Sequence, residues 1–223
     1  MDNKKHKVWV ASFDIGKKNF SFVVEEFDVE LLQATERIPK NQRYFKNGTT
    51  TPKFRPIIRN VCLNGKILLM DNVDLTKGCA KGKYLDPKVF LNMIDLLDKY
   101  RDYWNKCTAF VIEQQMSWGN RRNIMALKLG QHCYSYFIIN YANWKTTMEF
   151  PAYYKTQVLG ATKKLSKPER KKWSVEKAMS ILTERGDIEN LSKLSSRKKQ
   201  DDMADCITQL QSWKYLVYVD KNL

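Results

Sequence analysis

The chain has 223 residues, of which 43% are hydrophobic, and it carries a formal net charge of +15. This apolar content is enough to bury a sizeable core, which excludes an intrinsically disordered chain. The longest apolar runs fall far short of the roughly 20 residues that span a bilayer, so no membrane partner is expected. The positive charge indicates a polyanionic partner, most simply nucleic acid, with a generally basic protein as the alternative.

The amino terminus and the cysteines narrow the cellular context. Residues 1–7 lead directly into a strand-like run without the apolar core of a signal peptide, which predicts an intracellular protein. The five cysteines form no CxxC pair, so we expect free thiols and no zinc site. With two histidines in the chain, histidine-based metal or acid–base chemistry is not expected.

Two strands are predicted at the start of the chain. Residues 8–13 are a continuous apolar run that ends on Asp14, and residues 20–27 resume as a second run after a turn that contains Gly16. This pattern predicts a β-hairpin with Asp14 at the carboxyl end of its first strand. A carboxylate in that position is common and carries little information alone.

Residues 37–66 form a basic segment with no acidic residue. Asn47-Gly48 and the prolines of this segment predict an irregular excursion, from about residue 30 to residue 71, in place of a long element. Aromatic side chains lie among the charges, which suits a nucleic-acid backbone with bases to stack on. The alternative is a solvated surface loop.

The middle of the chain alternates strands and helices. Residues 67–70 predict a third strand, and Asp86 followed by proline predicts the start of a helix. Residues 109–112 are an apolar run typical of a strand buried on both faces, and they end on Glu113. Such a carboxylate either meets solvent or needs a cation, a metal or a hydrogen-bonding network as its partner. Residues 123–141 predict a long helix.

The last third of the chain contains a strand, a second basic segment and two helices. Residues 146–150 predict a short strand, and residues 153–172 carry seven basic residues against one glutamate. Ser174 is predicted to cap a helix that ends near residue 185. A final helix is predicted over about residues 200–217.

A set of carboxylates is predicted to converge. Asp205 shares a helix face with both Asp202 and Asp201, and like charges at that spacing repel each other. An acidic first turn is ordinary helix capping, but Asp205 lies beyond that turn. Together with Asp14 and Glu113, these side chains supply the hard oxygen ligands that Mg²⁺ or Mn²⁺ prefers.

Five stretches resemble, in the same order, motifs of the RuvC-type Holliday junction resolvases of the ribonuclease H-like superfamily. They are residues 13–16 (FDIG), 111–114 (VIEQ), 126–131 (ALKLGQ), 155–160 (KTQVLG) and 202–205 (DMAD). Each stretch is weak alone, but their order and contexts make the match specific. Together they span about residues 8–215.

The resemblance implies an α/β protein with the ribonuclease H-like fold. We expect a mixed central sheet of about five strands flanked by helices, in a single nuclease domain over residues 1–223. A basic insertion, at about residues 30–85, would follow the second strand. This insertion is longer than in compact bacterial members, which favours the branch of large DNA viruses, similar to the poxvirus enzymes.

The resemblance also implies a homodimeric crossover junction endodeoxyribonuclease that cuts four-way DNA junctions symmetrically in recombination and repair. It implies two Mg²⁺ ions per site, with Mn²⁺ able to substitute. The implied metal ligands are Asp14, Glu113, Asp202 and Asp205, with Asp201 as an alternative to Asp202. Lys155 would complete the catalytic set near the scissile phosphate, and a surface lysine on phosphate is the alternative. The expected DNA contacts are Arg121, Arg122, Lys155, Lys163, Lys164, Lys167, Arg170 and Lys171.

Some features depart from the family or stay open. Bacterial members resemble one another in having an aromatic wedge three residues past the position of Glu113, where this chain has Met116. The alternatives are that Trp118 substitutes or that this chain has no wedge there. Other functions that suit the fold are cleavage of flaps or RNA–DNA hybrids, and non-catalytic junction binding. The expected location is the host cytoplasm for a viral protein, or otherwise a mitochondrion or the bacterial cytoplasm.

Overall fold

The centre of the molecule is one mixed five-stranded β-sheet. The structure is a computed structural model that describes residues 7–80, 86–115 and 123–223. The strands are β1 (Lys7–Asp14), β2 (Phe20–Asp28), β3 (Lys66–Val73), β4 (Cys107–Gln114) and β5 (Thr146–Pro151). Their order in the sheet is β3-β2-β1-β4-β5, and β1 pairs antiparallel with β2 but parallel with β4. The predicted mixed sheet of about five strands is therefore confirmed.

The helices of the described residues flank this sheet. They are α1 (Val29–Gln33), α2 (Arg55–Leu63), α3 (Pro87–Lys99), α4 (Arg101–Trp104), α5 (Ile124–Tyr141), α6 (Tyr154–Val158), α7 (Lys167–Arg185), α8 (Ile188–Ser195) and α9 (Asp201–Lys214). A 3₁₀ turn (Lys40–Gln42) precedes α2, and a π-helical segment (Tyr215–Asp220) continues α9. The architecture is thus α/β with the ribonuclease H-like layering that the sequence predicts.

Each face of the sheet is covered by its own apolar core. On one face, alternate residues of the strands pack against α2, α7 and α9. On the other face, Phe13 and Phe110 pack against α3, α4 and α5, and the ring of Phe110 stacks on Phe137 with centroids 4.0 Å apart. Because β1 and β4 are covered on both faces, they are continuous apolar runs rather than alternating ones.

Parallel pairing of β1 and β4 determines where the strand-end carboxylates lie. Phe13 pairs with Ile112, and the next residues along the two strands are Asp14 and Glu113. Two carboxylates almost 100 residues apart in sequence therefore emerge at the same edge of the sheet. Strand β5 extends this edge, because Phe150 pairs with Glu113.

The predicted helix starts at residues 86 and 123 are confirmed, since Asp86 and Asn123 accept hydrogen bonds from Lys88 N and Ala126 N. The prediction that residues 37–66 are irregular is wrong in part, because α2 forms there. Its buried side chains are Ile57, Ile58, Val61 and Cys62, at helical spacing behind a proline in the first turn. That apolar stripe was the signal that could have identified the helix.

The prediction that Ser174 caps a helix is also wrong. Helix α7 begins seven residues earlier, where Ser166 accepts a hydrogen bond from Glu169 N and the Glu169 side chain accepts one from Ser166 N. This capping box, with Pro168 inside it, is a stronger start signal than one serine. Ser174 lies instead in the middle of α7, where it is buried.

Two further findings concern the whole chain. The segment at about residues 30–85 supplies β3, so part of the predicted insertion belongs to the central sheet. All five cysteines are free thiols, as predicted. Within the part of the chain that the structure describes, no helix is long and apolar enough to cross a bilayer.

Candidate active site

The site lies at the sheet edge where β1 and β4 end. Asp14 is half-buried and its carboxyl group lies close to that of Glu113. Asp205 reaches the same place from α9, which crosses this face of the sheet. The ammonium of Lys155 lies between two of the carboxylates, with Nζ 2.8 Å from Glu113 Oε1 and 2.9 Å from Asp205 Oδ2. The structure thus brings together four of the five predicted catalytic residues.

Lys155 is buried, which rules out the alternative of a surface lysine. It is carried by α6, a helix of five residues directly after β5. Burial alone would lower the pKa of Lys155, but the carboxylates of Glu113, Asp205 and Asp14 outweigh burial and raise it. Lys155 is therefore a fixed positive charge inside an acidic cluster.

The carboxylates have opposite titration behaviour. Burial, reinforced by the negative charge of Glu113, raises the pKa of Asp14 well above its usual value. Burial also acts to raise the pKa of Glu113, but the Lys155 ammonium outweighs it and the net shift is downward. Three carboxylates thus share one ammonium, and the cluster retains an excess of negative charge.

Gln209 joins α9 to the two catalytic strands. Its side-chain Nε2 lies 3.0 Å from Ser12 Oγ, 3.2 Å from the carbonyl oxygen of Phe13 and 3.1 Å from that of Val111. These acceptors belong to the last residues of β1 and β4. Gln209 therefore fixes α9, and Asp205 one turn earlier, over the strand ends. A glutamine within a polar helix stretch gives no sequence signal for this role.

Two hydroxyl groups support the cluster from neighbouring helices. Ser174 Oγ of α7 donates to Asp205 Oδ1 at 2.6 Å. Ser212 Oγ of α9 donates to the carbonyl oxygen of Lys155 at 3.3 Å. The first contact orients a carboxylate and the second holds the short helix that carries the lysine.

The turn around residues 44–50 braces the segment after α6. Tyr44 Oη donates to the carbonyl oxygen of Val158 at 2.9 Å, and the backbone nitrogen of Lys163 donates to the carbonyl oxygen of Asn47 at 2.7 Å. Gly160 has φ +81°, and a Cβ there would lie 2.6 Å from the Thr50 side chain. The glycine of the predicted KTQVLG motif is thus required by backbone conformation and by close packing.

Several basic residues of segment 37–66 are engaged inside the fold. The guanidinium of Arg43 is buried and lies 2.6 Å from Asp220 Oδ1. Arg37 lies 3.5 Å from the same oxygen, and Arg59 lies 2.6 Å from Glu184 Oε2. The segment is therefore largely a structural part of the domain, in contrast to the free basic loop that its composition indicates.

Asp201 and Asp202 are held by lysines. Asp201 pairs with Lys171, and Asp202 Oδ2 lies 2.7 Å from Lys199 Nζ. The Lys155 ammonium contacts Glu113 and Asp205, whereas Asp202 is paired with Lys199. Whether Asp201 or Asp202 acts as a ligand stays a prediction.

The predicted DNA contacts fall into three groups. Lys163, Lys164, Lys167 and Arg170 are exposed between α6 and the first turns of α7. Lys155 and Lys171 are engaged with carboxylates. Arg121 and Arg122, and the two wedge candidates Met116 and Trp118, lie outside the described residues.

The side chains at this edge of the sheet offer the kind of ligand atoms that a divalent cation prefers. Asp14, Glu113 and Asp205 offer hard carboxylate oxygens, and their charge exceeds that of the one ammonium among them. Across residues 7–80, 86–115 and 123–223, however, no three acidic, histidine or cysteine side chains stand ready to hold one ion together. Binding of an ion would have to displace the Lys155 ammonium from its two carboxylates.

The mixed five-stranded sheet flanked by helices is a ribonuclease H-like fold, which is the fold of known Holliday junction resolvases. The structure is similar to that of the fowlpox virus resolvase in complex with Holliday junction DNA, with a TM-score of 0.55 and 15% identity. The match covers 94% of this chain and 99% of that one. No protein-family model matches the sequence.

Two curated relatives come from iridescent viruses. "Uncharacterized protein 170L" of Invertebrate iridescent virus 6 is 34% identical, over 96% of this chain and 92% of the relative. "Uncharacterized protein 97L" of Invertebrate iridescent virus 3 is 32% identical, over 92% of this chain and 98% of the relative. The chain belongs to the family of these iridescent virus proteins.

Proposed function

We propose that this protein is a metal-dependent endonuclease that resolves four-way DNA junctions. The observation that carries the proposal is the convergence of Asp14, Glu113 and Asp205 at one edge of a sheet with the fold of known resolvases. Charge of this kind is costly to hold at a half-buried site, and such sites are candidates for function. The net charge of +15 around an acidic centre is consistent with a phosphate-rich substrate.

Asp14, Glu113 and Asp205 would hold Mg²⁺, with Asp202 as the predicted fourth ligand. Two such ions, when bound, activate a water molecule and stabilise the leaving oxygen of a phosphodiester. The protein's own contribution is to hold the carboxylates in place through Gln209 and Ser174. Lys155, displaced from the carboxylates, would place its charge beside the scissile phosphate.

Binding of the DNA backbone is assigned to the exposed basic residues that follow Lys155. One exposed stretch of chain carries Lys163, Lys164, Lys167 and Arg170. The one acidic residue of this stretch, Glu169, accepts a hydrogen bond from the backbone nitrogen of Ser166. Contacts of this kind position a duplex without reading its sequence. The affinity for a junction should fall as the salt concentration rises.

We also propose a homodimer formed through α5. This helix buries one face against the sheet, yet Ile124, Ile138 and Ile139 on its other side are exposed. A helix that is apolar on all sides is normally buried on all sides. Two sites related by a twofold axis would suit paired cuts in a symmetric junction. In sedimentation, Ile139→Glu should give monomers, and Leu91→Glu on the exposed side of α3 should not.

Two other functions remain to be distinguished. A nuclease for flaps or RNA–DNA hybrids would use the same carboxylates, because the fold does not define the substrate. A non-catalytic junction-binding protein would need the basic surface alone. Relatives in iridescent viruses favour action at the site of viral replication in the host.

The test is cleavage of a labelled four-way junction beside a flap, an RNA–DNA hybrid and a plain duplex, with Mg²⁺ or with EDTA. Paired symmetric nicks in the junction that require Mg²⁺ and are lost in Asp205→Asn would support the proposal. Asp95→Asn, an exposed carboxylate on α3, is the matched control and should cut normally. Preferred cutting of the hybrid or flap would reassign the substrate. Tight junction binding without nicks would favour the non-catalytic function.

A further inference from the structure

Three aromatic side chains are exposed in the part of the chain that the structure describes. They are Phe45, Trp144 and Tyr153, with exposed fractions of 50%, 80% and 52%. A single exposed aromatic residue is ordinary in a soluble protein. Tyr153 differs from the other two because of its position and its support.

Tyr153 is close in the chain to two residues that contact or pair with the carboxylate cluster. Tyr153 follows the end of β5 by two residues and precedes Lys155 by two residues. Within β5, Phe150 pairs with Glu113. Tyr153 is three residues from Phe150, and three residues of chain span at most about 11 Å. This length equals about three nucleotide rises along a DNA strand. Trp144 precedes β5 and therefore lies at the opposite end of the same strand.

The Tyr153 ring rests on a stack of aromatic rings. It contacts the Tyr154 ring with centroids 4.4 Å apart, and Tyr154 contacts the buried Phe150 with centroids 5.6 Å apart. The carbonyl oxygen of Tyr153 accepts hydrogen bonds from Gln157 N and Thr156 Oγ1. The ring is thus held in place from one side, and the rest of its surface faces solvent.

We infer that Tyr153 is a stacking platform for a base of the cleaved strand, within about three nucleotides of the scissile phosphate. This inference rests on the proposed function. A junction branch point leaves bases without a stacking partner on one face, and an aromatic ring can cover that face whatever the base. Lys155, Lys163 and Lys164 supply positive charge for the phosphates of the same strand. Tyr153 would thereby hold the strand in register with the carboxylates.

The test places 2-aminopurine, in turn, at the three positions on either side of the cleaved phosphate of a four-way junction. Fluorescence and affinity are measured in an Asp205→Asn background, so that the strand stays intact. We expect quenching at one or more positions with Tyr153 and with Tyr153→Phe, which keeps the ring. Tyr153→Ala and Tyr153→Leu should restore the fluorescence and weaken junction binding about tenfold. Trp144→Ala is the matched exposed aromatic and should change neither signal.

The two variants without a ring separate stacking from folding. Leucine keeps apolar contact with Tyr154, so a purely structural role would be rescued in Tyr153→Leu. Equal quenching and affinity in Tyr153 and Tyr153→Ala, with the junction bound, would overturn the stacking platform and leave the nuclease proposal intact. If the protein with Tyr153 neither bound nor cut the junction, both proposals would fail together.

Discussion

Helix α9 takes part in two charged clusters that are built in opposite ways. Near its start, Asp205 joins Asp14 and Glu113 around the single ammonium of Lys155. At its end, Lys214 contacts Glu25, a carboxylate of β2 with no exposed surface. The first cluster has three carboxylates for one cation, and the second has two cations for one carboxylate.

The second cluster satisfies its carboxylate completely. Glu25 Oε1 lies 2.6 Å from Lys214 Nζ and 3.0 Å from Arg185 Nη2, and Gln211 Nε2 donates to Oε2 at 2.8 Å. Burial acts to raise the pKa of Glu25, but Arg185 and Lys214 outweigh it and lower that pKa to about 2. The pKa of Asp14 moves the other way.

This difference separates structure from function. A buried carboxylate that contacts cations is needed for stability, because its removal leaves buried positive charge without compensation. An unbalanced acidic cluster costs stability, and such a cost is typical of a site kept for binding or catalysis. Neutralising one carboxylate in each cluster should therefore change the free energy of unfolding in opposite directions. That result would support a functional role for the first cluster and a structural role for the second.

The largest effect is expected from Asp14→Asn. Loss of one metal ligand should remove several kcal/mol of transition-state stabilisation, which corresponds to about a thousandfold lower cleavage rate. Because the change also removes repulsion with Glu113, the free energy of unfolding should rise by about 1 kcal/mol. Cleavage assays and urea unfolding measure the two quantities. Normal cleavage, or a clear loss of stability, would show that Asp14 has a structural role.

The opposite result is expected from Glu25→Gln. This variant leaves Arg185 and Lys214 buried without a counter-charge, and breaking such a group costs about 3 to 5 kcal/mol. Urea unfolding at neutral pH measures the loss. The cleavage rate of the folded fraction should be unchanged, because this cluster contacts none of the site carboxylates. Glu26→Gln, next along β2 and partly exposed, is the matched control and should cost much less.

The dependence of stability on acidic pH gives a second test of the cluster around Glu25. Glu25 has a pKa of about 2 in the folded protein against 4.5 without its partners. Its stabilisation is therefore complete above about pH 4.5 and is lost as the pH falls toward 2. The stability gap between Glu25 and Glu25→Gln should shrink by about 2 kcal/mol between pH 6 and pH 3. A gap that stayed constant would show that this carboxylate is not held by its cations.

The sequence was sufficient for the sheet because buried parallel strands are continuous apolar runs. The sequence also predicted Asp14 and Glu113 at strand ends, and the parallel pairing of β1 and β4 in the structure explains why these ends lie at one edge. The helix α2 was missed because its prolines and charges were weighted above its apolar stripe. The cluster around Glu25 was not predicted, because Glu25 and Arg185 are 160 residues apart and only tertiary pairing brings them together.

The residues that support the site could not be predicted from the sequence either. Ser174 follows a basic stretch and precedes an apolar stripe, a context typical of a helix start. Only the three-dimensional packing of α7 on α9 shows that its hydroxyl contacts Asp205. Gln209 gives no pattern at all, since one amide contacts the ends of two strands that are distant in sequence.

The smallest effect is expected from Ser174→Ala, which tests how the unbalanced cluster is held. Ser174 Oγ donates to Asp205 Oδ1 at 2.6 Å, so its removal should free the carboxylate to rotate. Residues that orient a metal ligand typically contribute 10- to 100-fold to metal affinity or activity, and we expect about tenfold lower cleavage at limiting Mg²⁺. Saturating Mg²⁺ should restore part of the rate. Ser180→Ala removes a similar bond from the same helix, to the exposed Glu184, and should cut normally. Equal rates for both variants at every Mg²⁺ concentration would show that Asp205 needs no such support.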